Sequence, residues 1–344
     1  MSDSLFKEGG PLGTRRIGPN DYEIHITIPP DSDGMVGREC TDPACSPGYF
    51  KVKPGTGITE GHVIAYCPYC RHEDEPGSFF TQAQKDYAIK ILENETIKGV
   101  DNMIQDALGL GPSNRKKFGS GFMSIEMSYT PSRPNIVSRP LEEELRRDII
   151  CPSCGLEHAV FGLATWCPDC GTDIFLVHVE AELAVVRKIL GAVDSRRSDL
   201  GARVAARDIE NALEDVVSVF EAVLKVITKR YLLKNGVSVV EITRILNKVV
   251  RNSYQNVETA ADTFRAQLGM ELFEGISDSD IVELKSIFEK RHPITHNLGI
   301  VDRKYLDRAL SGEMEGREVR VMVEDVEKAL EISFSVLRRA YERI

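Results

Sequence analysis

Seven consecutive residues near the end of the sequence, Arg291 to Asn297, read RHPITHN and bring together an arginine and two histidines. An imidazole titrates near neutral pH, so it can take up or release a proton. A guanidinium keeps its positive charge and presents a planar fork of N–H donors to a phosphate. Cleavage of RNA by its own 2′-hydroxyl needs a proton-transfer group and a fixed positive charge. The segment therefore supplies the groups that metal-free RNA cleavage requires.

A predicted amphipathic helix positions this segment. Ile281, Leu284 and Phe288 form its buried stripe, and the same spacing continues to Arg291. An arginine on the inward face is costly unless it is paired or faces a cleft or a subunit interface. The alternative is an arginine at a helix end that binds the last carbonyl groups. For His292 the alternative is an exposed histidine at a helix C-terminus.

Spacing within the segment limits how it could work. Pro293 cannot continue the hydrogen-bond ladder, so we expect the helix to kink or restart there. On a regular helix Arg291 and His296 lie about 140° apart. They converge only through that kink or by meeting a second copy across a symmetric dimer. A metalloprotease is disfavoured because HPITH lacks the glutamate of H-E-x-x-H.

The eight cysteines fall into four close pairs, which make two groups of four. The groups are Cys40, Cys45, Cys67 and Cys70, then Cys151, Cys154, Cys167 and Cys170. A two-residue spacer lets both thiolates of a tight turn bind one Zn²⁺, so we predict two structural zinc ions per chain. Disulfides or free cysteines are the alternative. His62 and His72 lie close enough in sequence to substitute as ligands, or are simply surface histidines.

Composition restricts the class of protein. The 344 residues carry a net charge of −10, with 42% hydrophobic and 28% charged residues, and suggest two or three soluble domains. No apolar run is long enough to span a membrane, and the first residues lack a secretory pattern, so we expect a cytoplasmic protein. Nucleic acid would need a local basic patch. Arg115, Lys116 and Lys117 are candidates for binding RNA, although a solvated loop is the alternative.

The pattern along the chain predicts a multidomain α+β protein, with β-rich zinc ribbons before an all-α bundle of five to six helices. We expect a flexible arm at 1–20 and a first ribbon domain with an added helix and strands at 21–130. A linker at 131–147, a second ribbon at 148–177 and the bundle at 178–344 follow. Predicted strands include 22–28, 49–53, 62–66 and 122–129. Capping boxes begin at Thr81 and Ser238, and Ser277 with Asp280 opens the helix that leads into the RHPITHN segment.

The RHPITHN segment, on an internal helix of an all-helical bundle and followed by a C-terminal helix, resembles the signature of the HEPN superfamily of ribonucleases. The continuation through Asp302 to Tyr305 and Leu306 is similar to that of bacterial HEPN-type proteins. The resemblance covers about 178–344. It implies a metal-independent endoribonuclease, formed as a homodimer, that leaves a 2′,3′-cyclic phosphate. It also implies a role in stress response, toxin–antitoxin systems or anti-phage defence, often with an inhibitory or activating partner.

Carried over by residue, the resemblance makes Arg291 and His296 the catalytic pair and His292 and Asn297 accessory groups. Some family members add an acidic residue on an upstream helix, for which Glu210 and Glu214 are both open. The competing hypothesis is a non-catalytic dimeric regulator whose ribbons bind nucleic acid or protein. A transcription-associated ribbon protein with an incidental helical tail is a third hypothesis.

Overall fold

The computed structural model describes residues 6, 8–9, 12–19, 21–110, 115–119, 125–137, 147–309 and 312–344. The chain divides into two compact units. The first comprises Met1–Phe161 with Cys167–Thr172, and the second comprises Gly162–Trp166 with Asp173–Ile344. The predicted arm at 1–20, the strand at 122–129 and the linker at 131–147 lie partly outside the described residues.

Within the described residues, ten short strands form four sheets in the first unit. The strands are β1 (Arg15–Arg16), β2 (Tyr22–Glu23), β3 (Val36–Glu39), β4 (Tyr49–Val52), β5 (Ala65–Tyr66), β6 (Glu73–Asp74), β7 (Arg115–Phe118), β8 (Ile125–Ser128), β9 (Arg147–Ile150) and β10 (Glu157–Val160). The largest sheet has the order β3-β4-β10-β9, and every pairing in it is antiparallel. The predicted strands 22–28 and 62–66 are shorter in the structure, since only β2 and β5 have ladder partners there.

The central sheet joins the two cysteine groups. Strand β4 follows the first pair of cysteines, and β10 follows the third pair. The two strands pair with His158 opposite Val52 and Val160 opposite Phe50. Phe50 and Val160 are buried, so the pairing also builds the core of this unit. The two cysteine groups, predicted in separate ribbons with a linker between them, lie in one compact unit with a shared sheet.

Helix α1 (Gln82–Leu108) is also part of the first unit. The predicted capping box is present, because the Thr81 hydroxyl accepts from Gln84 N and the Gln84 side chain accepts from Thr81 N. Gly109 ends the helix in the left-handed conformation, with φ 60°. The Gln84 amide donates to Gly37 O at 2.9 Å, which ties the start of the helix to β3.

The second unit is helical. Its helices are α2 (Phe175–Gly191), α3 (Val193–Leu200), α4 (Ala202–Lys234), α5 (Val239–Arg244), α6 (Val257–Leu268), α7 (Asp278–Glu289), α8 (Arg291–Asn297), α9 (Arg303–Leu306) and α10 (Val323–Glu342). The core lies along α4, where the predicted stripe of Leu213, Val216 and Phe220 is fully buried. There are more helices than predicted because several predicted helices are divided by local breaks.

One break lies between α5 and α6. A π-helical turn covers Ile245–Val250, and a 3₁₀ turn covers Ser253–Gln255. Between them Arg251 has φ 45° and ψ −115°, which side-chain-bearing residues rarely adopt. The break matters for the site because it presents Gln255 toward α8. None of the helices in the described part of the chain has the length and apolar character that crossing a membrane would need.

Candidate catalytic site and metal clusters

Each predicted cysteine group is assembled in the first unit. The four sulfur atoms of each group lie within 4.8 Å of one another. The shortest separations run from 3.6 to 3.7 Å. A tetrahedral ion with bonds of about 2.3 Å to sulfur needs sulfur atoms about 3.8 Å apart, whereas a disulfide needs about 2.05 Å. Both groups therefore fit a four-thiolate metal site, and the disulfide alternative does not fit the distances.

In the first group of cysteines, the surroundings of Cys70 favour its thiolate form. A hydrogen bond from Cys67 is the main reason that the pKa of Cys70 is lowered to about 5. Burial raises the pKa of Cys45 to about 12. A divalent cation would remove this difference, because a bound metal deprotonates each coordinating thiol. Since all four positions are filled by sulfur, such a site is closed to substrate and structural in type.

The two histidines that could have replaced cysteine ligands have other neighbours. His62 Nε2 lies 3.9 Å from Asp169 Oδ1, and His72 Nε2 lies 2.8 Å from Thr41 Oγ1. Neither belongs to a metal-binding group within the described residues. The ligand sets therefore consist of cysteines alone.

In the second unit, the RHPITHN segment forms its own short helix, α8. Helix α7 ends at Glu289, and α8 begins at Arg291, so the break precedes Pro293 rather than falling on it. Pro293 has no N–H to donate to the Glu289 carbonyl, which explains why the ladder is interrupted one turn earlier. Leu298, with φ 51°, ends α8 in the left-handed conformation.

Arg291 points inward, as the stripe predicted, and is held by two polar side chains. Its Nε donates to Glu214 Oε2 of α4 at 2.5 Å, and its Nη1 donates to Gln255 Oε1 at 2.9 Å. The Thr295 hydroxyl donates to the other oxygen of Glu214. The side chain of Arg291 keeps 24% of its surface exposed. Its Nη2 has no partner within the described residues, so it remains able to bind an anion.

Of the two acidic residues left open by the sequence, Glu214 therefore contacts the candidate site. Glu210, one turn earlier on α4, accepts instead from Arg207 at 2.7 Å and lies 3.4 Å from Arg203. Arg203 also donates to Glu318 at 2.8 Å. Glu210 is buried and its charge is shared by two arginines, which fits a structural role at the start of α4.

The two histidines lie on one side of α8. Their ring centroids are 5.2 Å apart, and the planes are tilted by 54°. His292 is partly buried with Nε2 3.9 Å from Asp302 Oδ2, whereas His296 is exposed. Burial is the main reason that the pKa of His292 is lowered, and the positive charge of Lys304 adds to it. His292 is therefore neutral near pH 7.

Arg291 and His296 do not meet within one chain. Within the described residues no hydrogen bond joins them, and Arg291 is directed to α4 while His296 faces solvent. Unbroken α8 keeps the angular separation expected for residues five apart. The other accessory candidate, Asn297, donates to Ile300 O at 2.7 Å and so stabilises the turn that follows α8.

The predicted RNA-binding residues of the first unit form β7. Arg115, Lys116 and Lys117 are all exposed. Arg115 lies 3.7 Å from Glu126 on the neighbouring strand, and the Lys116 ammonium lies 5.2 Å from the Phe118 ring centroid. The following Ser120 and Gly121 lie outside the described residues. The hairpin thus presents a basic strand, with part of its charge balanced by Glu126.

Three neighbours of the candidate residues were not predicted from the sequence: Gln255, Thr295 and Asp302. Thr295 lies inside the motif and Asp302 just after it, so their position was a usable signal. Gln255 lies in an irregular turn with no periodic pattern.

The chain matches no model of a known protein family, and comparison with curated proteins and with solved structures also found no match.

Proposed function

We propose that this protein is a metal-independent endoribonuclease of the HEPN type that acts as a homodimer. The observation that carries the proposal is the arrangement on α8. Arg291 is held in place by Glu214 and Gln255, while His296 on the same helix is exposed. A fixed cation and an accessible imidazole are the minimum that this cleavage chemistry requires, and a second copy of α8 would bring the two to one phosphate.

In the proposed reaction, neutral His296 removes the proton from the 2′-hydroxyl of the substrate. The 2′-oxygen attacks the adjacent phosphorus, and the bond from phosphorus to the 5′-oxygen breaks. The His296 of the second copy, in its protonated form, gives its proton to the leaving 5′-oxygen. The products are a 2′,3′-cyclic phosphate and a 5′-hydroxyl. One proton is removed and one is donated, so the proposed reaction requires no oxidant, reductant or metal ion.

Arg291 would stabilise the negative charge that builds up on the phosphate. Its Nη2 group has no partner within the described residues, and the bond to Glu214 fixes the orientation of the guanidinium plane. His292, whose pKa is lowered mainly by burial, is better suited to orient a phosphate or His296 than to donate a proton as an acid. Asn297 supports the turn after α8 rather than the phosphate.

Two features support a second copy of the chain at this site. Arg291 and His296 face different directions from a single α8, so one copy does not present both to one phosphate. In addition, Leu298, directly after the motif, leaves 81% of its surface exposed. Covering this apolar side chain with a second copy would lower the free energy of association.

The metal clusters fit a supporting role. Zinc is the ion that four cysteine thiolates most commonly hold in structural sites, so we assign Zn²⁺ to both clusters. The ribbons, with the exposed β7 of Arg115, Lys116 and Lys117, would then bind RNA or a regulatory partner. A cytoplasmic toxin, stress or anti-phage defence setting is consistent with this combination.

The second candidate is a non-catalytic dimeric regulator that binds nucleic acid or protein. One observation favours it: Arg291 already has two partners within its own unit, as a purely structural arginine would. The two candidates differ in one requirement. Only the ribonuclease needs His296, which makes no hydrogen bond through its side chain within the described residues.

Cleavage of RNA distinguishes them. Purified protein is incubated with a mixture of single-stranded RNA in EDTA, with metal analysis to confirm that both clusters stay loaded. We expect cleavage that His296→Ala abolishes without loss of the dimer. His25→Ala, which removes another exposed histidine, serves as the matched control and should cleave normally. Equal cleavage by His296→Ala and wild type would refute the assignment.

A further inference from the structure

Helix α9 follows the candidate site at once and is fixed to it by one residue. The side chain of Asp302 accepts from Tyr305 N at 2.8 Å, which caps α9. The same carboxylate lies 3.9 Å from His292 Nε2. Tyr305 is fully buried, so α9 is anchored to the core rather than free on the surface. Side chains on its outer face therefore have a defined position beside the two histidines.

Two cations lie at this element: Lys304 on α9 itself and Arg308 in the turn that directly follows it. Both are exposed, and neither has an ion-pair or hydrogen-bond partner for its side chain within the described residues. Their neighbour Arg303 differs, since its Nε lies 3.8 Å from Asp307. Asp307 N donates to Arg303 O and Ala309 N donates to Tyr305 O, so the helical turn continues past α9. Lys304 and Arg308, four residues apart, therefore lie on one side of it.

Both cations lie near the site because Asp302, which caps the turn that carries them, is 3.9 Å from His292 Nε2. The positive charges of Lys304 and Arg308 contribute, after burial, to lowering the pKa of His292. On α8 and just before it, Arg291 and Lys290 are paired with Glu214 and Asp325. Lys304 and Arg308 differ from these two cations, since no carboxylate within the described residues balances their charge.

We infer that Lys304 and Arg308 form a phosphate-binding surface that holds the backbone of single-stranded RNA beside the histidines of α8. This inference rests on the proposed function and names where its substrate binds. In a chain with a net charge of −10, attraction of RNA must be local, and this surface is a local concentration of positive charge. A lysine and an arginine four residues apart can contact successive phosphates without reading the bases, so binding should be independent of sequence.

Binding can be measured apart from cleavage. Full-length His296→Ala protein is titrated into a fluorescent single-stranded RNA of mixed sequence, and anisotropy gives Kd over a range of salt concentrations. Lys304→Ala/Arg308→Ala is added in the same background, with Arg303→Ala as the matched control because that charge is balanced by Asp307. All three positions are exposed, so folding should be retained.

The double substitution should raise Kd roughly tenfold at low salt. It should also reduce the slope of log K against log salt by about 1.4, which corresponds to two lost contacts with a single strand. Arg303→Ala should change neither quantity appreciably. An unchanged Kd and slope in the double variant would overturn the inference.

Other results separate this inference from the proposed function. If wild type cleaves RNA and the double variant cleaves with the same KM, the ribonuclease stands and the RNA surface on α9 is refuted. If wild type does not cleave but the double variant still binds RNA less tightly, the surface stands and the ribonuclease is refuted. If the double substitution leaves RNA binding unchanged and weakens only the binding of an acidic peptide, α9 serves a protein partner and the inference fails.

Discussion

Glu214 Oε2 accepts a hydrogen bond from Arg291 Nε at 2.5 Å, and this contact joins the long helix α4 to the short helix α8. The side chains are about one-quarter exposed, at 27% for Glu214 and 24% for Arg291. Thr295 binds the second oxygen of the same carboxylate. One acidic side chain thus fixes two residues of the RHPITHN segment, which makes it a positioning residue for the proposed site.

Glu214→Gln should lower kcat for RNA cleavage by roughly 10- to 100-fold, because the guanidinium loses the charge that orients it. KM should change less, and Glu214→Asp should recover part of the activity. The free energy of unfolding should fall by no more than about 1 kcal/mol, since the pair is partly solvated. Asp208→Asn is the matched control, as Asp208 binds Arg196 at 2.5 Å from the same helix. Equal kcat in Glu214→Gln and the control would exclude the positioning role.

The lowered pKa of His292 predicts that the free energy of unfolding depends on pH. Burial, then Lys304, lowers its pKa from the usual 6.5, while Asp302 opposes this. His296 and Arg308 lower it further. Between the lowered value and 6.5 the unfolded chain binds more protons, so stability falls as pH falls through this window and is unaffected above it.

The measurement is the free energy of unfolding between pH 7.5 and 5 for wild type and His292→Gln. Wild type should lose more stability than the variant, and the difference between them isolates His292 from the other titrating groups. Parallel curves for the two proteins would show that the environment of His292 does not disfavour its charged form.

The two groups of four cysteines predict two bound metal ions per chain. Cys45→Ser and Cys154→Ser should each reduce the metal content to about one, because each removes a ligand from a different cluster. Each should also lower the thermal unfolding midpoint of the whole first unit, since β4 and β10 share a sheet. Ser153→Ala, an exposed position between two ligands, should keep both ions. Retention of two ions in either cysteine variant would contradict the ligand assignment.

The backbone conformation of Arg251 leads us to expect that one substitution there stabilises the protein. Its φ of 45° with ψ of −115° is a conformation that glycine adopts with little strain. Arg251→Gly should therefore raise the free energy of unfolding by about 1 kcal/mol, after allowing for the greater entropy of glycine in the unfolded chain. Arg251→Ala keeps the strain and should give no such gain. Denaturant unfolding of the three proteins measures the difference, and a destabilised glycine variant would refute the strain.

Helix caps, the buried stripe of α4 and the grouping of the cysteines could be predicted from the sequence, because each depends on residues close together in the chain. The capping box at Thr81 and the buried stripe of α4 depend on neighbours within one helical turn, and both are present. Ser238 and Ser277 cap their helices by accepting from Glu241 N and Asp280 N, which is the serine half of a capping box. The two tetracysteine groups were likewise evident from spacing, because tight turns bring each pair together.

Tertiary contacts could not be predicted in the same way. Glu210 and Glu214 lie one turn apart on α4, so only the packing of α8 decides which of them meets Arg291. Gln255 reaches the site because a π-helical turn and a 3₁₀ turn redirect the chain, and neither turn has a periodic pattern in the sequence. The pairing of β4 with β10 joins segments about one hundred residues apart, and such pairing carries no local signal.

The most direct test of the central claim is the chemistry of the cut. An RNA oligonucleotide is cleaved in EDTA, the cut position is mapped, and the substrate is remade with 2′-deoxyribose at that one nucleotide. Our proposal predicts a 2′,3′-cyclic phosphate and a 5′-hydroxyl from the first substrate and no cut at the modified position of the second. Cleavage of the modified substrate at the same position and rate would contradict 2′-hydroxyl attack, and with it the roles proposed for Arg291 and His296.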